Sequence, residues 1–341
     1  IGRGALAGIL IKNAEALEIL EKVDTLIVDK TGTLTEGKPR LVTVEALSPW
    51  IDTDVVSFAA SVAAASEHPI SEALVEAAEA RGLRLLETAD FRSLTGRGIT
   101  GRVKGRDVTV GSRRLLAERA SSTDDALLST ADRLGRNGES VTFVVVDGRA
   151  AGLVGLADPL KSTTPEAVQI LREEGIEVIM ATGDSGAVAE AVAGRLGLTQ
   201  IHTEVLPQDK EGIVAKLQSE GRIVAMAGDG TNDAPALARA HVGFAMGTGT
   251  DVAAESAGIT LVKGDLRGIA RARRLSRGTM RNIRENLFFA FVYNALGVPI
   301  AAGLLYPFFG LALSPLMAGA AMSLSSLCVV ANALRLRSID L

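Results

Sequence analysis

Three short apolar runs along the chain each lead into an aspartate. They read TLIVD at residues 25–29, EVIMATGD at 177–184 and IVAMAGDG at 223–230. A β-branched apolar run that meets turn-forming residues is typical of a buried strand that ends in a loop. Helical patterns at 165–175 and 210–221 separate the later strands. This alternation predicts an α/β fold with a parallel sheet, whose ligands bind at the carboxyl ends of the strands.

A block of different character, residues 40–150, interrupts this alternation. It begins with alanine-rich helical sequence and continues with short strands punctuated by glycine, as in FRSLTGRGITGRVKGRDVTVGS. Its length suits a separate domain, with crossing points near 36–40 and 147–158. The sequence therefore predicts an α/β domain built from residues 21–39 and 151–265, with an inserted α+β domain at 40–150.

The C-terminal part, residues 266–341, has the pattern of a membrane hairpin. Residues 287–334 contain no Asp, Glu, Lys or Arg, which is enough for two spans of about 20 residues each. We predict spans at about 287–305 and 312–334, and we predict that residues 1–20 are the end of a preceding membrane helix and its connector. The length of the uncharged run disfavours the alternative, a buried soluble core.

Arginines flank both predicted spans, and the connector between the spans carries no charge. The positive-inside bias therefore predicts that both flanks are cytoplasmic. The flanking arginines are Arg267, Arg271, Arg273, Arg274, Arg277, Arg281, Arg284, Arg335 and Arg337.

Charge and cysteine content exclude other classes of protein. With 36 basic and 40 acidic residues the net charge is −4, which gives no reason to expect nucleic acid as a partner. The single cysteine, Cys328, excludes an intrachain disulfide and suits a reducing compartment. The chain opens at Ile1 with no signal segment, so we expect a piece of a longer protein.

Asp29 is the candidate nucleophile, because it stands where a buried strand reaches its loop. A carboxylate there can attack phosphorus and form an acyl phosphate. Two anions meet in that step, so a divalent cation such as Mg²⁺ is required. Asp229 and Asp233, on another strand-end loop, can supply its ligands. Thr182 can hold a phosphoryl oxygen, and Lys210 can neutralise developing charge.

The motifs DKTGTLT, TGD, PQDK and GDGTNDAPAL resemble the phosphorylation domain of P-type ATPases, which has the haloacid-dehalogenase-like fold. The resemblance implies that Asp29 is phosphorylated, that Thr182 and Lys210 contact the phosphoryl group, and that the cofactors are Mg²⁺ and ATP. It implies Mg²⁺ ligands at Asp29, the Thr31 carbonyl, Asp229 and Asp233. The implied catalytic residues are Asp29, Lys30, Thr31, Thr182, Gly183, Asp184, Lys210, Asn232 and Asp233.

The inserted block is similar to the nucleotide domain of the heavy-metal-transporting branch of this family. The similarity rests on Ser66-Glu67-His68-Pro69 followed by Gly96-Arg97-Gly98. It implies that residues 40–150 bind ATP through Glu67, His68, Gly96, Gly98 and Gly111. Two departures remove hydrogen-bonding groups: Ala63 stands where the family commonly has Glu, and Ser112 where an Asn is common.

The apolar C-terminal segments resemble the last two spans of copper(I)-transporting ATPases. The resemblance lies in YN…GVPIAAG and MSLSS…NALRLR, and it implies that Tyr293, Asn294, Met322 and Ser326 contribute to the path of the transported cation. It further implies export of Cu⁺ from the cytoplasm by a multi-pass protein of the plasma membrane with cytoplasmic catalytic domains. The implied partners are ATP, the metal ion, the lipid bilayer and a cytoplasmic copper chaperone. The actuator domain of such a pump is not part of this chain.

Three rival functions remain open from the sequence. The first is a Zn/Cd-type or other cation P-type ATPase, which is disfavoured because residues 287–334 lack an acidic residue. The second is a membrane-tethered phosphatase of the same fold, which would need no separate ATP domain. The third is a nucleotide sensor without turnover, which the presence of Asp29, Lys210 and Asp233 disfavours.

Overall fold

A seven-stranded sheet forms the centre of the α/β part of the molecule. The structure, a computed structural model, describes residues 2–94, 96–121, 124–247, 249–302 and 315–338. The sheet has the order β1-β13-β12-β11-β2-β9-β10, and its strands run parallel except for the edge pair β1–β13, which is antiparallel. Its strands are β1 (Ile9–Ile11), β2 (Thr25–Asp29), β9 (Glu177–Ala181), β10 (Gln200–His202), β11 (Val224–Gly228), β12 (Val242–Met246) and β13 (Ile259–Leu261). This sheet confirms the predicted parallel α/β fold.

Strand β2 lies at the middle of the sheet, between β11 and β9. All five of its residues are buried, which explains why its sequence is apolar on both faces rather than alternating. Val28 pairs with Ala227 on one side and with Met180 on the other. The three strands therefore end at nearly the same level, and the loops after them meet at one edge.

Helices cover both faces of this sheet, as a doubly wound fold requires. Helices α2, α7, α8 and the first turns of α12 contribute to the larger core cluster. Helices α9, α10 and α11 pack on the opposite face. The helices of the described residues are α1 (Gly2–Leu6), α2 (Ala14–Leu20), α3 (Asp52–Ala63), α4 (Pro69–Ala80), α5 (Arg113–Arg119), α6 (Asp125–Arg136), α7 (Thr164–Glu173), α8 (Gly186–Leu196), α9 (Pro207–Ser219), α10 (Ala234–Arg239), α11 (Asp251–Ser256), α12 (Arg267–Ala301) and α13 (Pro315–Leu334).

A second, antiparallel sheet is built from the segment between β2 and α7. Its order is β3-β8-β7-β6-β5-β4, with α3 and α4 on one face and α5 and α6 on the other. The predicted boundary between residues 150 and 151 falls inside β8, so the sheet extends to Ala157. Its strands are β3 (Arg40–Ala46), β4 (Thr88–Leu94), β5 (Gly98–Val103), β6 (Arg106–Gly111), β7 (Ser140–Val146) and β8 (Arg149–Ala157).

The first C-terminal helix, α12, is continuous over 35 residues, about 52 Å at 1.5 Å per residue. Its first turns belong to the core of the α/β domain, where Ile269, Ala272 and Leu275 are buried. The residues from 266 to about 276, predicted as the start of the membrane part, therefore pack against the sheet. Arg273, predicted as one of the flanking surface charges, is buried there as well, with 5% of its surface exposed.

The predicted membrane spans are only partly described. The end of the first (287–305) and the start of the second (312–334) lie outside the described residues, which leave out 303–314. Among the residues that the structure describes, no helix combines the length and the apolarity that a membrane crossing requires.

Candidate active site

Three strand-end loops converge at the carboxyl edge of the seven-stranded sheet. Asp29 is the last residue of β2 and pairs with Ala181, the last residue of β9. Thr182 therefore follows directly beside Asp29, while Asp229 follows the end of β11 on the other side. The sheet register alone places these side chains together, as expected for parallel strands.

A single lysine joins two of the carboxylates at this edge. Lys210 Nζ lies 2.6 Å from Asp29 Oδ1 and 2.6 Å from Asp233 Oδ1. Lys210 stands in the first turn of α9, and Asp233 precedes α10. The exposed fractions are only 7% for Asp29, 7% for Lys210 and 2% for Asp233. Hydrogen bonds between full charges in such a dry site are short and strong.

One ammonium group cannot compensate the carboxylates around it. Burial of the Asp29 carboxylate and the negative charge of Asp233 raise the pKa of Asp29 to about 7, although Lys210 acts in the opposite direction. Burial, followed by the charge of Asp233, also raises the pKa of Asp229. For Lys210, burial lowers the pKa, but its contacts with Asp29 and Asp233 outweigh burial and the net shift is upward.

The donor set at this edge fits a magnesium ion. One oxygen atom from each of Asp29, Asp229 and Asp233 lies within 4.8 Å of the others. When all three are ionised, three carboxylates face the one ammonium of Lys210, so two negative charges remain. Hard oxygen donors and a double negative charge match Mg²⁺. The carboxylates would hold it together with the carbonyl of Thr31, which lines the same cavity.

Gly32 is required at its position in the loop after Asp29. Its φ is +71°, and a Cβ atom built there would lie 1.6 Å from Asp229 Oδ2. Any side chain would therefore displace a candidate metal ligand, and the positive φ would strain it as well.

Lys30 and Thr182 are tied to one another through Asp184. Lys30 Nζ lies 2.6 Å from Asp184 Oδ2. The Thr182 hydroxyl donates to Asp184 Oδ2 and accepts from the Asp184 amide, both at 3.1 Å. This network connects the loop after β2 to the loop after β9.

A cavity of about 560 Å³ opens above Asp29, between the two sheets. Its walls include the predicted site residues of the α/β domain and, from the inserted segment, His68 with its neighbours Pro69 and Ile70. His68 Nδ1 accepts a hydrogen bond from the Ile70 amide. The neutral ring therefore carries its proton on Nε2. The predicted residues on the walls are Asp29, Lys30, Thr31, Thr182, Gly183, Asp184, Lys210, Asp229, Asn232, Asp233 and His68.

The other predicted nucleotide residues are not among the lining residues of this cavity. Glu67, Gly96, Gly98 and Gly111 all lie outside its described walls. Gly98 and Gly111 face each other across β5 and β6, and a Cβ at Gly98 would lie 2.2 Å from the Val110 carbonyl oxygen. Close strand pairing is therefore reason enough for these two glycines.

The predicted cation-path residues are described only in part. Tyr293 on α12 lies with its hydroxyl 3.9 Å from the Cys328 sulfur on α13. Asn294 and Ser326 are exposed. The side chain of Met322 lies outside the described residues.

Sequence reasoning missed two residues that hold the loop after Asp29. Lys161 Nζ donates to the carbonyl of Gly32 and, at 3.0 Å, to that of Gly264. Asp158 Oδ2 accepts from the Thr35 hydroxyl at 2.6 Å. Both residues follow β8, where the chain crosses between the two sheets, and that crossing point was the available signal.

Comparison with known proteins agrees with this fold and site. Residues 23–241 match the family described as haloacid dehalogenase-like hydrolase. A copper-exporting P-type ATPase of Legionella pneumophila is 55% identical over 342 residues, which cover 100% of this chain and 46% of the relative. A silver exporting P-type ATPase of Salmonella typhimurium is 52% identical over 341 residues, covering 100% and 41%.

A crystal structure of a zinc-transporting PIB-type ATPase in its E2.Pi state matches 98% of this chain and 53% of its own, with a TM-score of 0.77 and 34% identity. The chain thus spans less than half the length of the two curated relatives. It belongs to the haloacid dehalogenase-like hydrolases and, within them, to the heavy-metal branch of the P-type ATPases.

The raised pKa of Asp29 predicts a pH-dependent effect of Asp29→Asn on stability. Because the folded-state pKa of about 7 lies above the ordinary value of 3.8, the folded state binds more protons between these values. Stability is therefore lost as the pH rises through about 7. In a metal chelator, Asp29→Asn should raise the melting temperature clearly at pH 8 and much less at pH 5.

Calorimetric melting at both pH values checks this expectation. Asp90→Asn is the control, because Asp90 is 68% exposed, and its effect should be the same at both pH values. An Asp29→Asn effect equal at pH 5 and pH 8 would contradict the raised pKa.

Proposed function

We propose that this chain is the catalytic and C-terminal membrane part of an ATP-driven pump that exports Cu⁺ from the cytoplasm through an aspartyl phosphate at Asp29. The observation that carries the proposal is the buried contact of Asp29 with Lys210, at 2.6 Å, below a cavity that His68 lines from the other domain. A nucleophile, its counter-charge and a candidate nucleotide contact thus share one cavity.

ATP fits the gap between the α/β domain and the inserted domain. His68 Nε2 is available to donate to, or stack near, an adenine ring, because Nδ1 is already occupied. The phosphates would extend from there toward Asp29. Glu67, Gly96, Gly98 and Gly111 remain proposed nucleotide residues on the resemblance of their motifs alone.

Phosphoryl transfer then follows from the residues at the sheet edge. An Asp29 carboxylate oxygen attacks the γ-phosphorus, the new O–P bond forms, and the bond to the β-phosphate oxygen breaks to release ADP. Lys210 neutralises charge on the attacked group, and Thr182 holds a phosphoryl oxygen. Bound Mg²⁺ would supply the remaining positive charge at this edge. Closing both acidic and basic groups in a dry site strengthens each of these interactions.

A membrane hairpin is supported by the exposure of apolar side chains at the C-terminus. In α12 and α13 many large apolar side chains are exposed, and no charged residue interrupts positions 287–334. Contiguous exposed apolar surface marks a face that contacts another apolar phase. We therefore place spans at about 287–305 and 312–334 in a plasma membrane, with the two catalytic domains in the cytoplasm. The exposed side chains include Leu287, Phe288, Phe289, Phe291, Leu296, Val298, Leu327, Val330 and Leu334.

Monovalent copper is the proposed cargo because of the side chains available in the hairpin. A thioether such as that of Met322 is a soft ligand that suits Cu⁺. Residues 287–334 hold no Asp, Glu or His, so a divalent ion there would remain largely uncompensated. We propose that Tyr293, Asn294, Met322 and Ser326 line the path, with a cytoplasmic copper chaperone as the source of the ion. The copper and silver exporters among the relatives are consistent with a soft monovalent ion.

Phosphorylation of Asp29 is the first expected outcome. Incubation with γ-labelled ATP and Mg²⁺ should give a label that is stable in acid and is released by hydroxylamine, as an acyl phosphate is. Asp29→Asn should abolish the label, whereas Asp90→Asn, on the surface of the other domain, should leave it unchanged. Label that persists in Asp29→Asn would overturn the assignment.

Selectivity for copper over zinc is the second expected outcome. In membrane vesicles of the full-length pump under reducing conditions, Cu⁺ should stimulate ATP hydrolysis more strongly than Zn²⁺. Met322→Leu keeps the volume and removes the sulfur, so it should depress the copper stimulation. Leu327→Met, on the same helix, is the control and should have no such effect. Stronger stimulation by Zn²⁺ would show that the pump belongs with the zinc-type relatives.

A further inference from the structure

A buried arginine attaches the long helix α12 to the base of the central sheet. Arg273 Nη2 donates to the carbonyl of Val23 at 2.8 Å, and Nη1 donates to the carbonyl of Glu174 at 2.7 Å. Val23 lies just before β2, and Glu174 lies at the end of α7. One side chain of α12 therefore holds two separate elements of the α/β domain.

This joint stands at the opposite end of β2 from Asp29. The strand is five residues long, about 17 Å from end to end. A displacement of β2 that begins at Asp29 reaches α12 directly at Arg273. Since α12 is one continuous helix through residue 301, the displacement continues along its axis toward Tyr293 and Asn294.

Two further contacts on the same helix show that the joint is a built attachment. The Ser276 hydroxyl donates to the carbonyl of Leu17 in α2. Arg284 binds Glu21, at the end of the same helix, through two hydrogen bonds of 2.9 and 3.1 Å. These contacts keep α12 against α2 while leaving the Arg273 guanidinium between β2 and α7.

The joint contains one donor and one acceptor that are buried without a hydrogen bond. Arg273 Nε and Glu174 Oε2 have no hydrogen-bond partner among the described residues. Glu174 Oε2 lies 3.8 Å from Arg273 Nη1, which is beyond hydrogen-bond length. A relative shift of about 1 Å would bring the two side chains into a paired arrangement, and interface helices in switching proteins move by about 1–2 Å.

We infer that Arg273 is a positioning residue with two hydrogen-bonded arrangements, which couples the state of the Asp29 site to the membrane half of α12. In the arrangement of this structure its guanidinium binds the two backbone carbonyls. In the second arrangement it pairs with the Glu174 carboxylate as α12 shifts. The inference rests on the proposed pump function and assigns the residue through which that pump transmits its motion.

The chemistry of arginine explains why this position is not apolar. A buried ion pair is often no more stable than packed hydrophobic side chains of similar volume, so stability alone gives little reason for a charge here. A planar guanidinium reaches two acceptors at fixed angles, whereas the ammonium of lysine cannot reproduce that fork.

The test separates phosphorylation from its coupling to the cation. In vesicles of the full-length pump, we compare Arg273→Met, Arg273→Lys and the control Arg277→Met. Arg277 is 47% exposed and lies 3.8 Å from the same Glu174 carboxylate, so it shares the charge but not the carbonyl contacts. The first measurement is the Asp29-linked label from ATP and Mg²⁺, and the second is Cu⁺-stimulated ATP hydrolysis per labelled site.

Arg273→Met should keep the label and lose the Cu⁺ stimulation by at least about fivefold, the lower end of typical coupling between sites. Arg273→Lys should fall between this variant and wild type, and Arg277→Met should match wild type. A residue with only a structural role would lower the amount of labelled protein and leave the stimulation per labelled site unchanged, and that result would overturn the inference.

Two other results are distinguishable from these. If Arg273→Met does not accumulate, Arg273→Lys decides by the same ratio, because it retains the charge and part of the hydrogen bonding. Full Cu⁺ stimulation per labelled site in Arg273→Lys then overturns the inference, and a reduced ratio supports it. An absence of label or of copper stimulation in wild type would refute the proposed function itself and not the role of Arg273 within it.

Discussion

The sharing of one lysine between two buried aspartates is the interaction on which the rest of the site depends. Lys210 lies equally close to Asp29 and Asp233, so it orients both carboxylates and neutralises only one charge. The remaining charge makes the edge of the sheet attractive to a divalent cation and repulsive to a phosphate that arrives without one. A nucleophile that must attack an anion is thereby held inactive until its cofactor is present.

The architecture is arranged to bring this cluster together without strain elsewhere. The parallel register ends β2, β9 and β11 at one level, which sets Asp29 beside Thr182 and opposite Asp229. Gly32 leaves room for Asp229 in the loop. The inserted sheet then brings His68 over the cavity, and at the other end of β2 the chain meets α12. Chemistry and movement are thus placed at the two ends of one short strand.

Much of this could be predicted from the sequence, because buried parallel strands and strand-end motifs are local patterns. The strands ending at Asp29, Ala181 and Gly228 were predicted, and the structure brings most of the motif residues to one cavity. The contacts of Asp158 and Lys161 could not be predicted, since each connects residues more than one hundred positions apart. Arg273 was read as one charge of a basic flank, because periodicity does not reveal that a helix begins inside a soluble core.

The account predicts a specific geometry once the cofactor and a phosphate analogue are bound. The most direct test is a crystal structure of the protein with Mg²⁺ and beryllium fluoride, which forms a stable mimic of an aspartyl phosphate. We expect beryllium fluoride on an Asp29 oxygen, Lys210 in contact with its fluorines, and Mg²⁺ about 2.1 Å from oxygens of Asp29, Asp229 and the Thr31 carbonyl. Beryllium fluoride bound at another side chain, or Mg²⁺ held away from Asp29 and Asp229, would contradict the account.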